Sequence, residues 1–531
     1  MNYDVIIVGG GVAGLTASAF LSKEGYNTLL CEKEKYPGGL VGSFNHNGFI
    51  FDKGIRATEN SGILFPMLNQ LGIDIEFMEN KVSLGIEDRI VDVVSKKSIK
   101  DYTDMLIEKF PDNKNDILNL IDVIHKIMKI MDTLYGIDNP LFMDLKNDRE
   151  YLAKILLPWI FKYAITVGKI KNFRKPVEEY VADLTDNMAL NDIITQHFFK
   201  KTPAFFALSY FRLYLDYKYP KGGTGELVSK LAKNIRLNGG QIKCDTEISH
   251  VKPDEKTIED LDGNQYKYKH LIWASDLKAL YNSILSEDIN SPKLKKEMLN
   301  MKTFLSDKSG GDSVFTLYLT TDINKEYFEE KHGAHFFYTP SKEGISKLNG
   351  DVIMADNNEY IKDKNIIKNW LNDFYRLNTF EIAIPVLRDP DLAPEGKTGL
   401  IISALMDYSL VNHINKMGWY DEFKEYSKEC IINILESSAY SGLKEKITDS
   451  FVSTPLTLKK FSGNTDGAIT GWAFTNEEMP AVSSMPRIAK SVETPFKDIS
   501  QAGQWTYSPA GLPISILTGK MAANRARKNL K

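Results

Sequence analysis

Cysteine is scarce in this chain of 531 residues, which has three cysteines, Cys31, Cys244 and Cys430. They lie far apart without the spacing of a metal site, and they are too few for a disulfide framework. We therefore expect no metal site and a reducing, cytoplasmic location. A large excess of positive or negative charge is also missing, since the formal net charge is only −4. This balance gives no reason to expect nucleic acid as a partner.

Long hydrophobic runs are absent as well. No run reaches the roughly 18 apolar residues that a membrane-spanning helix requires. The nearest candidate, 155–170, is interrupted by Pro158 and Lys162. The amino terminus has neither a basic segment nor room for a cleavage site, so we expect no signal peptide. At roughly 100–200 residues per domain, the length predicts two to four domains.

The amino terminus shows a strand, turn, helix and strand pattern. Residues 5–8 are continuously apolar, as in a parallel strand buried on both faces. Apolar residues at helical spacing follow from Val12 to the terminator Gly25, and a second strand at 28–31 is closed by Glu32. The turn between strand and helix has the form G-x-G-x-x-G, at Gly9, Gly11 and Gly14.

Each part of this motif has a physical role in binding a dinucleotide. Gly9 permits the tight turn, Gly11 lets backbone N–H groups approach a pyrophosphate, and Gly14 lets the helix pack on the strand. The positive end of the helix then faces the phosphates. Glu32, about 20 residues further on, is placed to accept hydrogen bonds from ribose hydroxyls. The pattern therefore predicts a dinucleotide site.

Two later segments distinguish among the dinucleotides. Gly38 and Gly39 form a pair after the ribose-binding acid, and the segment FDKG ends at Gly54. This combination resembles the amine oxidase and phytoene desaturase superfamily of FAD enzymes, in which a D-x-G segment lies beside the flavin ring. The resemblance implies FAD. Taken alone, the glycine pair is more simply an ordinary surface turn.

One position departs from the superfamily pattern. Many relatives have Arg or Lys directly after the glycine pair, whereas this chain has Leu40. A cationic contact to the cofactor from that position is therefore missing. Lys33 and Lys35 are the candidates to replace it.

The carboxyl-terminal segment GQWTYSPAGLPISILTGKMAANRA places a glycine-bearing turn before a helix that begins near Leu512. In the superfamily this end of the chain closes the flavin site, with the helix N-terminus against the pyrimidine edge. Such a terminus offers unpaired N–H groups and partial positive charge, which suit a reduced flavin. The resemblance implies contacts from Gly503, Gly511, Leu512, Pro513 and Ile514. A plain carboxyl-terminal helix is the alternative.

Further segments narrow the resemblance to the carotenoid isomerase and retinol saturase branch of phytoene desaturase-like proteins. They are GQWT, YPKGGTGELVSKLAKNIRLNGGQIKCDTEISHV, LIWASD, DPDLAPEGKTGLIISAL and NTDGAITGW, and together they follow the family's order along most of the chain. Where close relatives carry a run of glycines, this chain has SPAG at 508–511. The loop beside the flavin is therefore expected to differ in shape.

The resemblance implies an enzyme, an oxidoreductase that binds FAD noncovalently and transfers hydride by desaturation, saturation or isomerisation. Its substrate would be long, apolar and unsaturated, such as a carotenoid, retinoid, prenyl lipid or unsaturated fatty acyl chain. A flavin amine oxidase and a noncatalytic prenyl-lipid escort protein of the same fold are the alternatives. No second G-x-G-x-x-G is present for a nicotinamide domain, so the electron partner stays unknown.

The expected fold is α/β, with a Rossmann-type FAD-binding domain interleaved with a mixed-sheet substrate domain and a helical cap. The FAD-binding domain is expected to consist of residues 1–75, 218–290 and 441–531. The substrate domain would consist of 76–100 and 291–440, and the cap of 101–217. A strand is expected over 241–251, followed by a hairpin turn at Asp262-Gly263. In the family this strand passes the adenine, which implies a backbone contact from Ile248.

The cap segment LLPWIFKYAITVGKIKNFRK combines Trp159, Phe161 and Tyr163 with lysines and arginines. This combination suits a surface that lies on a membrane, from which an apolar substrate would enter. An apolar face at helical spacing is more commonly core or the wall of a tunnel. Two locations therefore stay open, the cytoplasm and the inner face of the membrane through a peripheral contact.

Flavin chemistry requires few acid–base residues, because the cofactor itself exchanges the hydride. Arg56 follows FDKG and is the catalytic candidate, since it could stabilise reduced flavin or hold a substrate carboxylate. An ion pair with Glu59 is the alternative. For the paired histidines His332 and His335, both a proton donor and an ordinary core position are open. The candidate cofactor residues are Gly9, Gly11, Val12, Ala13, Gly14, Glu32, Lys33, Gly38, Gly39, Gly54, Ile55, Arg56, Ala57, Ile248, Gly503, Gly511, Leu512 and Ile514.

Overall fold

The computed structural model describes residues 2–356 and 359–531. Its first sheet is built around the amino-terminal strand Asn2–Val8, which pairs in parallel with a neighbour on each side. In spatial order the strands are Gln241–Lys243, Thr28–Cys31, Asn2–Val8, Gln265–Trp273, Thr257–Asp260 and Ile248–Lys252, with Ile499–Gln501 beside Gln265–Trp273. Thr257–Asp260 pairs antiparallel with both of its neighbours, and all other pairings in this sheet are parallel.

Helices cover both faces of this sheet, which explains why its central strand is apolar at every position from 5 to 8. Val5 and Ile7 contribute to one core, and Ile6 and Val8 to the other. The helices on the first face are Val12–Lys23, Gly225–Leu237 and Leu512–Leu530, and those on the second are Leu277–Asn282 and Pro292–Ser306. The predicted α/β class, the first strand–helix–strand unit and the helix start at Leu512 are confirmed.

The strand expected over 241–251 is instead two strands, Gln241–Lys243 and Ile248–Lys252. Between them Asp245 has φ 49°, outside the extended region. The N–H of Thr246 donates to the carbonyl of Glu32 at 2.8 Å, so the chain turns toward the end of a neighbouring strand. The predicted hairpin turn is confirmed, with Gly263 at φ 80°.

A second, mostly antiparallel sheet carries the remaining long strands. In spatial order they are Ile447–Ser453, Ser313–Thr321, Thr398–Met406, Phe380–Ala383, His335–Thr339, Val82–Ile86 and Arg89–Val93. The expected division at residue 441 assigned 447–453 to the FAD-binding part. Its pairing with Ser313–Thr321 places this segment in the second sheet instead.

Besides the strands of the mixed sheet, the predicted substrate part 291–440 contains several helices. Ile367 and Leu371 of one helix, for example, are fully buried, since that helix packs against the sheet. The helices of this part are Pro292–Ser306, Glu326–Glu329, Lys364–Leu377, Tyr408–Lys416 and Tyr420–Ser437. Strand-like apolar runs lie next to these helices in the sequence, so the helical spacing of their apolar residues is hard to recognise.

Residues 101–217 are mostly helical, as expected. The helices are Ser98–Lys109, Lys114–Leu134, Leu157–Ile170, Val177–Ala182, Met188–Thr195, Ala204–Leu208 and Tyr210–Tyr214, with a π-helical turn at Tyr151–Leu156. The other elements are the helices Leu64–Leu71 and Pro455–Ser462, the hairpin Ser43–His46 and Phe49–Asp52, and a small sheet of Thr58–Glu59, Tyr217–Pro220 and Phe77–Glu79. Throughout the described ranges, each helix is too short or too polar to cross a bilayer.

Asp52 joins the hairpin to the segment that enters helix Gly225–Leu237. Its fully buried carboxylate accepts hydrogen bonds from the hydroxyl of Ser43 at 2.9 Å and from Tyr219 at 2.8 Å. Thr224 donates both its hydroxyl, at 2.7 Å, and its backbone N–H, at 3.0 Å. Asp52 therefore orients a turn by hydrogen bonding.

We expect Asp52→Ala to lower the free energy of unfolding by about 3 kcal/mol or more, because it leaves several buried donors unsatisfied. The midpoint of urea unfolding measures the effect. The exposed Asp112 supplies the control, and Asp112→Ala should change stability by less than about 0.5 kcal/mol. Equal midpoints for the two variants would contradict this role of Asp52.

Candidate functional site

The glycine motif forms a close backbone turn between the first strand and helix. Gly9 has φ 103°, and its N–H donates to the carbonyl of Cys31 at 2.9 Å. A Cβ on Gly14 would overlap the carbonyl oxygen of Gly9, so the helix lies directly against the strand end. Gly11 differs, because a Cβ there would meet no atom within 4 Å. The protein's own packing does not require glycine at that position, and the space suits an approaching phosphate.

Glu32 lies at the edge of this turn and is 8% exposed. Its carboxylate accepts hydrogen bonds from the N–H groups of Gly10 at 2.6 Å and Glu34 at 2.9 Å. Burial raises the pKa of Glu32, and these two donors only partly oppose it. An ionised carboxylate has about four acceptor positions, so Glu32 retains capacity for ribose hydroxyls.

Two predicted contacts lie around Glu32. Lys33 directs its Nζ to the carbonyl oxygen of Lys460 at 2.9 Å and lies 3.7 Å from a carboxylate oxygen of Glu34. Ile248 begins the strand that follows the turn at Asp245 and is half-buried. Ile248 thus follows Thr246, which donates to the backbone carbonyl of Glu32, while Lys33 is engaged by protein groups.

The paired glycines lie against the first motif. Gly38 has φ 130° and donates its N–H to the carbonyl of Gly10 at 2.8 Å. A Cβ on Gly39 would lie 3.5 Å from the Cα of Gly11. The pair is thus part of the same backbone cradle and not a separate surface turn.

Leu40 connects this cradle to the FDKG segment. Its carbonyl accepts the N–H of Ile55 at 3.0 Å, and a Cβ on Gly54 would overlap that same carbonyl oxygen. Gly54 is therefore fixed as glycine by close packing. The wall formed by 54–57 stands directly beside the glycine cradle.

The carboxyl terminus completes the site from the other side. Gly503 has φ 99° and donates its N–H to the hydroxyl of Thr518 at 2.9 Å. A Cβ on Gly503 would lie 3.4 Å from the Cβ of Ala13, and one on Gly519 would overlap the carbonyl oxygen of Ala13. The two chain ends therefore meet at the glycine motif, as the sequence predicted.

A cavity of about 1030 Å³ extends from this junction toward the cap. Its wall includes 54–57 and the start of the last helix at 511–514, but neither Gly11 nor Gly38. The second sheet contributes one face, with Glu381 and Ser403 among its side chains. Aromatic residues dominate the part beneath the cap, including Trp159, Tyr163, Phe206, Tyr210, Tyr214 and Phe337.

Arg56 is the most deeply buried cation of the cavity wall, at 4% exposure. Its Nη1 donates to the carbonyl of Asp52 at 2.9 Å, and its Nη2 reaches the hydroxyl of Ser403 at 3.4 Å. Its Nε has no hydrogen-bond partner. Within the described ranges no carboxylate lies within 4 Å of this guanidinium, so the ion pair with Glu59 does not form.

The two histidines have different environments. His332 lies in the core, where its Nδ1–H donates to Gly333 and its Nε2 accepts the hydroxyl of Tyr440, both at 2.7 Å. Burial lowers its pKa to about 4. His335 lines the cavity and donates its Nε2–H to Glu381 at 2.8 Å, while its buried Nδ1 has no partner. Only His335 is positioned for a role in the site.

Sequence reasoning missed Glu381, the carboxylate that holds His335. Burial acts to raise the pKa of Glu381, but the hydrogen bond from His335 and the charges of Arg56 and Arg388 outweigh it and lower the pKa. A single acid in the apolar run FEIAIPVL was the available signal, because a charge on a buried strand requires a partner. Trp472 and Trp505, by contrast, are packing residues, with ring centroids 4.8 Å apart.

Comparison with known proteins agrees with this geometry. Residues 7–71 match the family model described as an NAD(P)-binding Rossmann-like domain. Prolycopene isomerase of Daucus carota is 22% identical, covering 100% of this chain and 80% of that protein. All-trans-retinol 13,14-reductase of Danio rerio is 23% identical, covering 95% and 82%. The 4,4'-diapophytoene desaturase of Staphylococcus aureus strain COL is 20% identical, covering 99% of each.

Solved structures share the fold. An oxidoreductase from Methanosarcina mazei has a TM-score of 0.59 at 14% identity, covering 98% of this chain and 99% of that one. A putrescine oxidase variant has a TM-score of 0.59 at 12% identity, covering 99% of each chain. The relatives that match in sequence along almost the whole chain are the isomerase, the reductase and the desaturase. The chain is thus a flavin-dependent oxidoreductase of the phytoene desaturase-like type.

Proposed function

We propose that the enzyme binds FAD noncovalently and transfers hydride on a long, mainly apolar, unsaturated substrate, by desaturation, saturation or isomerisation. The cavity supports this proposal. It is long and lined largely by aromatic residues, and it reaches the start of helix Leu512–Leu530 and the wall 54–57. Deep apolar cavities with few polar groups suit such ligands. The similarity to a prolycopene isomerase and an all-trans-retinol reductase points to polyenes or related lipids.

The backbone cradle fits the cofactor. Gly9, Gly11, Gly14 and the glycine pair would hold the pyrophosphate, with Val12 and Ala13 at the helix start. The ribose would lie at Glu32, flanked by Lys33 and Ile248, and the pyrimidine edge at Gly503, Gly511, Leu512 and Ile514. When bound, FAD supplies hydride exchange at N5.

The protein's own contribution is orientation, charge and exclusion of water. Gly54, Ile55 and Ala57 would form the wall beside the flavin, with Arg56 supplying fixed positive charge between cofactor and substrate. The first sheet and its helices would bind the cofactor, and the second sheet and the cap would bind the substrate.

An absorption spectrum from the near ultraviolet to the visible, before and after denaturation, tests the cofactor. We expect flavin bands that leave with the supernatant when the protein is denatured, since no covalent bond would retain them. A colourless protein that FAD cannot reconstitute would overturn the redox proposal and favour a lipid escort protein. Peroxide release with an amine substrate would favour an amine oxidase.

Gly11→Ala tests the phosphate cradle. The new Cβ meets no protein atom within 4 Å, and the backbone of Gly11 is extended at φ −68°, so the variant should fold normally. We expect FAD affinity to fall about tenfold or more, because the methyl group displaces hydrogen bonds to a charged phosphate. Titration of the apoprotein with FAD measures the loss.

Gly350→Ala is the matched control, since its Cβ also meets no atom within 4 Å but lies on the exposed surface far along the chain. It should leave FAD affinity unchanged. Unaltered FAD affinity in Gly11→Ala would contradict the proposed position of the pyrophosphate.

We also infer that the cap helix Leu157–Ile170 lies on the cytoplasmic face of an anionic membrane. Phe161 is 73% exposed and Ile165 is 69% exposed. Its other face lines the cavity through Trp159 and Tyr163, so a substrate could pass from lipid to cavity beside this helix. The cations Lys162, Lys169 and Lys171 lie on or directly after the helix and would contact acidic headgroups.

Sedimentation with vesicles of phosphatidylglycerol and phosphatidylcholine tests this contact. The double variant Phe161→Ser with Ile165→Ser should bind vesicles about tenfold or more weakly, since two large apolar side chains lose their burial. Leu237→Ser with Leu261→Ser is the control, because those residues are 75% and 68% exposed in other parts of the fold. An equal loss in both variants, or no binding by the wild type, would contradict the proposal.

A further inference from the structure

The cavity wall contains a buried positive charge without a matching ion pair. Arg56 stays ionised, because a guanidinium does not lose its proton in proteins. In the described chain it donates to the carbonyl of Asp52 and, at 3.4 Å, to the hydroxyl of Ser403, and the hydroxyl of Tyr318 lies beside it. A buried charge with such partners is unfavourable unless another group compensates it. The missing partner is therefore expected to come from a ligand.

The nearby acids are already engaged. Asp52 accepts four hydrogen bonds from other residues and offers Arg56 only its backbone carbonyl. Glu381 accepts the Nε2–H of His335. Burial raises the pKa of Glu59 to about 7, so this acid carries only part of a charge at neutral pH. None of these three carboxylates contacts the guanidinium within 4 Å.

Two residues of the cavity wall also carry buried polar atoms without hydrogen-bond partners. They are Arg56, through its donor Nε, and His335, whose Nδ1 is an acceptor because Nε2 carries the proton. The wall beneath the cap is mainly aromatic and aliphatic. The cavity thus combines a buried polar group at Arg56, His335 and Glu381 with a long, mainly apolar remainder, which matches an amphipathic molecule better than a pure hydrocarbon.

We infer that Arg56 binds the carboxylate of the substrate, and that the substrate is a long-chain unsaturated acid. This inference rests on the proposed function, since it assigns the substrate class of the same site. A guanidinium and a carboxylate form charge-assisted hydrogen bonds, which fix orientation as well as adding affinity. The acid's chain would extend from Arg56 along the aromatic wall toward the cap.

Three ligands of equal chain length test the inference: oleic acid, oleyl alcohol and octadecene, each below its aggregation concentration. Their dissociation constants can be measured from changes in the visible absorption of the flavin-loaded enzyme. We expect oleate to bind about tenfold or more tightly than either other ligand. Arg56→Met should remove most of that preference and leave octadecene binding within about twofold.

Arg174→Met is the matched control, because Arg174 also lines the cavity but is exposed. It should leave the preference for oleate unchanged. If Arg174→Met removes the preference instead, the carboxylate lies at the exposed position and the inference is wrong. Equal binding of the three ligands by the wild type would also overturn it, whether or not Arg56→Met folds.

The binding measurements distinguish an error in the carboxylate site from an error in the proposed function. Flavin-loaded enzyme that binds octadecene as well as oleate would refute the carboxylate site and leave the apolar cavity and cofactor intact. A protein that takes up neither FAD nor any of the three ligands would refute the proposed function itself.

Discussion

The fold depends on direct backbone contact at a few glycines. Gly14 brings the first helix against the carbonyl of Gly9, and Gly519 brings the last helix against the carbonyl of Ala13. A side chain at either glycine would overlap a carbonyl oxygen, so the helices could not approach as closely. Because both contacts involve the same turn and helix, the two ends of the chain are held together there. The cradle proposed for FAD is a consequence of this packing.

This constraint also explains which parts of the site could be predicted from the sequence. Gly9, Gly14 and Glu32 lie in one short strand–turn–helix–strand unit, whose geometry local residue types largely determine. Gly503 and the helix at Leu512 are far away in sequence, and only the resemblance to a known family connected them to that unit. Local chemistry and family pattern together were enough to locate the cradle.

Other features depend on pairings that local sequence does not specify. Nothing in 447–453 indicates that this strand pairs with Ser313–Thr321 and not with the first sheet. The break between Gln241–Lys243 and Ile248–Lys252 follows from a contact between Thr246 and Glu32, which are far apart in the chain. Arg56 and Glu59 have helical spacing, but strand Thr58–Glu59 pairs with Tyr217–Pro220, so that spacing does not bring them together.

The cap helix Leu157–Ile170 illustrates why burial and function have to be considered together. Trp159 and Tyr163 face the cavity with ring centroids 4.6 Å apart, and Trp159 donates its indole N–H to the carbonyl of Thr133. Phe161 and Ile165 remain largely exposed on the same helix. The exposed apolar side of this helix is unfavourable in water. Contact with lipid would cover that side, and a substrate in the cavity would cover the rings of Trp159 and Tyr163.

Asp52 and Arg56 show how a buried acid can anchor a cation without forming an ion pair with it. The side chain of Asp52 is fully satisfied by Ser43, Tyr219 and Thr224, so it fixes the turn without approaching the guanidinium. Its carbonyl then accepts Arg56 Nη1, which anchors one end of the guanidinium and leaves Nε unpartnered. Had the carboxylate paired with Arg56, the charge would already be neutralised inside the protein. Because the two roles are separated, the positive charge stays available at the point where cofactor and substrate would meet.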